Sequence, residues 1–144
     1  MPQIVFADQT YPFQTLADEA ARGASGLAAL GATGSLVALL LRNDAAFVTV
    51  SEAARQAGGT TLPLNWHLKA PDIAYILEDS AATILVAHVD LWNAIAAGLP
   101  TRLKDTLTVL LVPTPEAIAT AFSVAPDALC APENCRLWPE MVTA

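Results

Sequence analysis

A chain of 144 residues with 54% hydrophobic side chains and a formal charge of −7 is long enough to bury roughly two thirds of the surface its unfolded form exposes. It is also apolar enough to leave a surplus for a partner, a second copy or the rest of a larger protein. Its seven Lys and Arg are spread singly, which argues against nucleic acid as a partner, since phosphate neutralisation needs a basic stripe.

No window reaches the roughly 18 uninterrupted apolar residues of a membrane span. The opening MPQIVFADQT lacks the basic flank and long apolar region of a signal peptide, so the cytoplasm is the expected address. From Gln14 to Leu30, apolar or small residues at Leu16, Ala20, Gly23, Leu27 and Leu30 recur at helical spacing, and Gly31 supplies the stop. The run Leu36–Leu41 is continuous and apolar, as in a strand covered on both faces. Asn43 and Asp44 offer N-cap chemistry to a second helix with Phe47, Val50, Ala54 and Ala57 on one face, closed by Gly58 and Gly59.

A short strand follows in Thr60–Leu64, where Pro63 removes an amide donor and so belongs near a strand end or an edge. Pro71 and Asp72 suit the first turn of a third helix that turns Ile73, Ile76 and Leu77 inward. Ala82–Ala87 is the next apolar strand, Asp90 is placed to cap a short helix ending at Ile95, and Thr106–Val112 is the last strand. Strands alternating with crossover helices imply an α/β layered fold with a mostly parallel sheet over residues 1–112. Beyond Pro113 the pattern weakens; residues 113–144 read as an irregular, Pro-containing tail with room for one short helix over Pro115–Phe122.

Few residues invite a chemical role. Gly31-Ala32-Thr33-Gly34-Ser35 runs from helix into strand and lacks a Lys, whereas a phosphate-cradling loop runs from strand into helix. His67 and His88 fall just after strands, where open α/β sheets bind ligands. The nearest acid to His88 is Asp90, better explained as a helix cap, so packing or surface roles are expected for both histidines. Ser25, Ser51 and Ser80 lack the setting of a nucleophile elbow, and Glu78 and Asp79 read as a solvated helix end. Cys130 and Cys135, with the histidines far upstream, do not make a zinc set and read as unpaired thiols. No catalytic, cofactor-binding or metal residue is assigned.

The ordered series from "TYPFQTLADEAARGASGLAALG" through "LVALLLRNDAAFVTVSEAARQAGG", "TTLPLNWHL" and "AYILEDSAATILVA" resembles the N-terminal part of the AMP-forming acyl-CoA synthetases, within the adenylate-forming ligases that include luciferases and peptide-synthetase adenylation domains. The likeness is fullest over Thr10–Ala87 and extends to Val112. Gly34-Ser35 departs from the Gly-Asp usual before the first strand of that family, and "NWHL" is most like its fatty and related carboxylic acid ligases.

The resemblance implies ATP, Mg and coenzyme A for the parent enzyme. It places the phosphate loop, the hinge and the catalytic Lys in later segments, beyond "LWPEMVTA". This chain alone is then expected to be catalytically silent, with the remainder of the ligase as its partner. The rival expectation is a naturally short interaction module that dimerises or pairs with a partner subunit through its apolar surface. A third is a flavodoxin-like binding domain using the strand ends near Asn43, Asn65 and His88.

Overall fold

The computed structural model describes residues 3–143. A hairpin, β1 (Gln3–Phe6) with β2 (Gln9–Pro12), leads into α1 (Phe13–Ala29). There follow β3 (Leu36–Leu40), α2 (Ala45–Gln56), β4 (Thr60–Pro63), α3 (Ala70–Ser80), β5 (Ile84–His88) and α4 (Val89–Ile95). After a short 3₁₀ turn come α5 (Thr101–Thr106), β6 (Thr108–Val112), α6 (Glu116–Ala121), a second 3₁₀ turn, β7 (Arg136–Leu137) and α7 (Trp138–Thr143).

The five later strands form one sheet in the order β4-β3-β5-β6-β7, with every neighbouring pair parallel. Strand alternation sends side chains to two separate cores. Val37, Leu39, Ile84, Val86 and Leu110 face α1, α2 and α7, whereas Ala38, Leu40, Leu85, Ala87 and Leu111 face α3, α4 and α5. Burial on both faces explains why these strands read as unbroken apolar runs. Pro63 stands at the end of the edge strand β4, where its missing donor costs no ladder bond.

The helices form where their apolar stripes allow. Leu16, Ala20, Gly23 and Leu27 of α1 are buried, Leu30 packs partly against them, and Gly31 turns the chain at φ +92°. Asp44, not Asn43, caps α2: its Oδ1 accepts from the Phe47 amide at 3.1 Å. Ile73 and Leu77 of α3 are buried, and Asp72 lies in its first turn.

Residues 113–143 are more ordered than their prolines suggest. The expected short helix exists as α6, β7 extends the sheet beside β6, and α7 lies across α1. Trp138 is 2% exposed and its indole Nε1 donates to Glu19 Oε1 at 2.9 Å. The Arg22 Nε donates to the Val142 carbonyl, a second tie between the two helices. Gly23 and Gly26 make this contact possible, because a Cβ at either position would stand 2.4 Å from Trp138 or Met141. Glycine in mid-helix ordinarily costs about 0.5–1 kcal/mol relative to alanine; here it is the groove that seats α7.

One boundary and one whole motif differ from expectation. The last long strand begins at Thr108, because Thr101–Thr106 forms α5, which is too short to display a period. The hairpin was not anticipated at all: its turn uses Ala7 at φ +53° in place of the Gly or Asn that would signal it.

Trp138→Ala should lower stability by about 3–5 kcal/mol, the usual cost of emptying a large buried aromatic site, measured by urea unfolding. A loss below about 0.5 kcal/mol, the level of a surface change, would mean that α7 decorates the fold and does not hold it.

Candidate functional site

In sheet order β3 is the turning point: the connection through α2 places β4 on one side, and α3 then returns the chain to β5 on the other. Open α/β sheets take ligands at such a switch point, in the crevice outside the carboxyl ends of the strands. Here the crevice between the ends of β3 and β5 is filled by the protein's own charged groups.

Arg42 and Asp44 follow β3; His88 ends β5 and Asp90 opens α4. All four are buried, at 6%, 7%, 0% and 6% exposure, which for charged residues demands partners. Arg42 grips Asp90 with both terminal nitrogens, Nη1 to Oδ1 at 2.9 Å and Nη2 to Oδ2 at 2.8 Å. Thr114, just beyond β6, donates its hydroxyl to Asp90 Oδ1 at 2.7 Å and accepts from the Asp90 amide at 3.2 Å.

His88 is fixed at both ring nitrogens. Its Nδ1 accepts from the Arg42 backbone amide at 3.2 Å, which puts the ring proton on Nε2, 2.9 Å from Asp44 Oδ2. Asp44 therefore serves two elements, capping α2 with one oxygen and holding His88 with the other. The Arg42 guanidinium rests in a corner made by two rings, 4.7 Å from the Trp66 centroid and 4.8 Å from that of Phe122. The rings themselves meet edge to face at 5.1 Å.

The electrostatics follow from this geometry. Burial by itself pushes the Asp90 carboxyl up, but hydrogen bonds from Arg42 and Thr114 and the Arg42 charge outweigh it and hold the group below its ordinary 3.8. Asp90 thus adds stability above its unfolded value, and that contribution drains away as the pH falls through the lower value of the folded state.

Two readings of the sequence need correction here. Asp90 is not the cap of α4; His88 occupies the cap position, and Asp90 lies in the first turn with its carboxylate committed to Arg42 and Thr114. The acid that orients His88 is Asp44, 44 positions away, not Asp90. With Nδ1 committed to a backbone donor and Nε2 to a carboxylate, His88 has no free nitrogen for proton transfer. The sequence left a surface or a packing role open for it; the ring is fully buried.

The other candidates are dispersed. His67 is exposed, stacks on Trp66 at 3.8 Å and shares Asn65 Oδ1 between its amide and its ring. Glu78 makes an exposed pair with Arg102 at 2.9 Å, as befits a solvated helix end. Cys130 and Cys135 are free thiols. Sequence reasoning missed Arg42, Asp44 and Thr114 as members of a cluster; the one available signal was their position just after apolar strands.

Asp90→Asn should cost about 3–5 kcal/mol at neutral pH, because it strands a buried guanidinium. The double change Arg42→Met with Asp90→Leu should recover most of that loss. Stability of Asp90→Asn should also fall less steeply than that of the parent chain below about pH 4, near the ordinary carboxylate value. Urea titrations at several pH values read both effects; equal acid slopes would show that Asp90 carries no stabilising charge interaction.

The AMP-binding enzyme family model matches residues 1–137. The feruloyl-CoA synthase of an Amycolatopsis species is 37% identical over 90 residues, covering 60% of this chain and 18% of that protein. The fatty acid–[acyl-carrier-protein] ligase ScoC of Streptomyces coeruleorubidus is 27% identical over 110 residues, covering 76% of this chain and 21% of its own length. The chain thus spans about a fifth of the length of these curated relatives.

Among solved structures, the anthranilate CoA ligase AuaEII in complex with anthranoyl-AMP shares the fold, with a TM-score of 0.76 at 20% identity over 99% of this chain and 25% of that one. The N-terminal domain of FACL13 from Mycobacterium tuberculosis superimposes with a TM-score of 0.64 at 26% identity, over 88% of this chain and 32% of that one. A family match across nearly the whole chain, on a fold shared with such ligases, makes this chain a member of the AMP-binding enzyme family, carrying the N-terminal part of the adenylate-forming ligase fold.

Proposed function

We propose that this chain is the N-terminal scaffold of an ATP-dependent, AMP-forming ligase that activates a carboxylic acid and passes the acyl group to a thiol such as coenzyme A. The observation that carries the reading is the family match over residues 1–137 by a chain spanning about a fifth of its relatives. Of the carboxylic acids we favour a fatty acid, on the likeness of the Asn65–Leu68 turn to the fatty acid ligases. The relatives' names include both a fatty acid and a feruloyl enzyme.

Within that reading the 144 residues alone do not adenylate. The groups present do not fit a magnesium nucleotide. Arg42 is the one buried Lys or Arg among the described residues, and its terminal nitrogens are committed to Asp90. No set of three or more His, Cys, Asp or Glu among the described residues is placed to hold a metal ion. The Gly31–Ser35 segment enters a strand, so its amides do not open a helix toward a phosphate. No helix among the described residues is long and apolar enough to cross a membrane.

The part this segment plays is mechanical. It supplies one side of a sheet whose strand ends are locked by the Arg42–Asp90 and His88–Asp44 contacts, and it supports a substrate pocket built by other parts of the ligase. Apolar side chains left exposed, such as Phe13 at 55% and Val48 at 44%, are then covered by the remainder of the ligase.

ATP–pyrophosphate exchange tests the silence of the chain. The purified 144 residues, offered magnesium, ATP and a panel of fatty and aromatic acids, should exchange no faster than the blank without protein. Acid-dependent exchange would overturn the scaffold reading.

A further inference from the structure

Among the described residues, Arg42 Nε is the only buried side-chain nitrogen or oxygen without a hydrogen-bond partner. The side chain that carries it is 7% exposed and otherwise fully engaged. Orphans of this kind are rare, and each calls for a physical reason.

Arg42 also lines a cleft of about 400 Å³ between the β1–β2 turn, the Trp66 turn and α6. That volume is within the range of small-molecule sites. The walls are aromatic and small: Phe6, Trp66 and Phe122 with Ala121, while Arg42 and Asn43 supply the polar side. Phe122 stands half exposed at the C-cap of α6 and shields the guanidinium from one side. Phe122 thus borders both the cleft and the guanidinium, whose central carbon lies 4.8 Å from the ring centroid.

The charges decide what can enter. The Arg42 guanidinium is met by the Asp90 carboxylate, Asp44 joins the same buried network through His88, and the His88 ring, with Nδ1 accepting and Nε2 donating, adds no charge. Arg42 is the one charged residue lining the cleft; the buried network behind it is net negative by one, and Asp8 and Glu116 line the adjoining cleft. A carboxylate or phosphate is repelled; a neutral acceptor is not.

We propose that this cleft binds a small, neutral, planar compound carrying one hydrogen-bond-accepting oxygen, its ring taking the place of Phe122 against the guanidinium and its oxygen accepting from Arg42 Nε. The aromatic walls supply the apolar contact, and the orphaned donor supplies the orientation.

Benzamide is the probe, and benzoate, its charged counterpart of the same size, is the control. In two-dimensional amide NMR of the 144-residue chain, benzamide should shift the signals of the Phe6–Ala7 turn, Asn43 and the Trp66 indole N–H. The shifts should saturate in roughly the millimolar range expected for so few atoms. Phe122→Ala, which vacates the ring's place, should bind benzamide several-fold tighter. Ala121→Phe, which fills the cleft from the exposed side of α6, should abolish those shifts with the rest of the spectrum unchanged. Absence of saturable shifts, benzoate binding as tightly as benzamide, no gain in Phe122→Ala, or shifts that persist in Ala121→Phe would each overturn the proposal.

Discussion

The bidentate pair between Arg42 and Asp90 sets the geometry on which the rest of this fold depends. It joins the end of β3 to the start of α4 at the point where the sheet's connections diverge, which is where a parallel sheet otherwise opens a crevice. Two charges taken out of water are costly, and their mutual attraction offsets that cost only when the geometry is good and the remaining lone pairs are satisfied. Thr114 meets that condition for Asp90, and the His88–Asp44 bond closes the same crevice from the β3 side. The exception is Arg42 Nε, on a side chain that also lines the cleft bordered by Phe122.

Around this fixed point the sheet is apolar on both faces, and each face needs its own helices. On one face α3, α4 and α5 suffice. On the other, α1 and α2 are joined by α7, whose Trp138 and Met141 enter the groove left by Gly23 and Gly26 respectively. The last residues are thus part of the packing that holds the first helix, and the glycines of α1 make sense only once α7 is in place. The buried network and this helix contact lie at different places on the sheet, so the scaffold is fixed both at its strand ends and across one face.

Much of this was legible from period and punctuation. The stripes of α1, α2 and α3, the unbroken apolar runs of β3 and β5, and the edge position of Pro63 all follow from spacing, because burial on one stripe or on two faces leaves a pattern in the chain. Short elements leave none. The α5 helix and the two-residue β7 are below the length at which a period can be counted, and α7 offers only Trp138, Met141 and Val142 at helical spacing amid prolines. The candidate site was harder still, since Arg42 meets Asp90 across 48 positions and His88 meets Asp44 across 44. The strand-end rule pointed at His88 but paired it with its neighbour in sequence, because only the parallel register of β3 beside β5 brings Asp44 closer. Family membership was readable because the order of many ordinary segments is more specific than any one of them.

The strand-end network holds His88 between a backbone donor and a carboxylate. Long-range proton–nitrogen NMR of the His88 ring at neutral pH tests this most directly, since it distinguishes the two ring nitrogens and their protons. The expected result is an unprotonated, accepting Nδ1 and a proton on Nε2 that is shared with Asp44 and slow to exchange. A proton on Nδ1, or a ring that exchanges freely with solvent, would show that the Arg42 amide and Asp44 do not hold it and would contradict the closed scaffold.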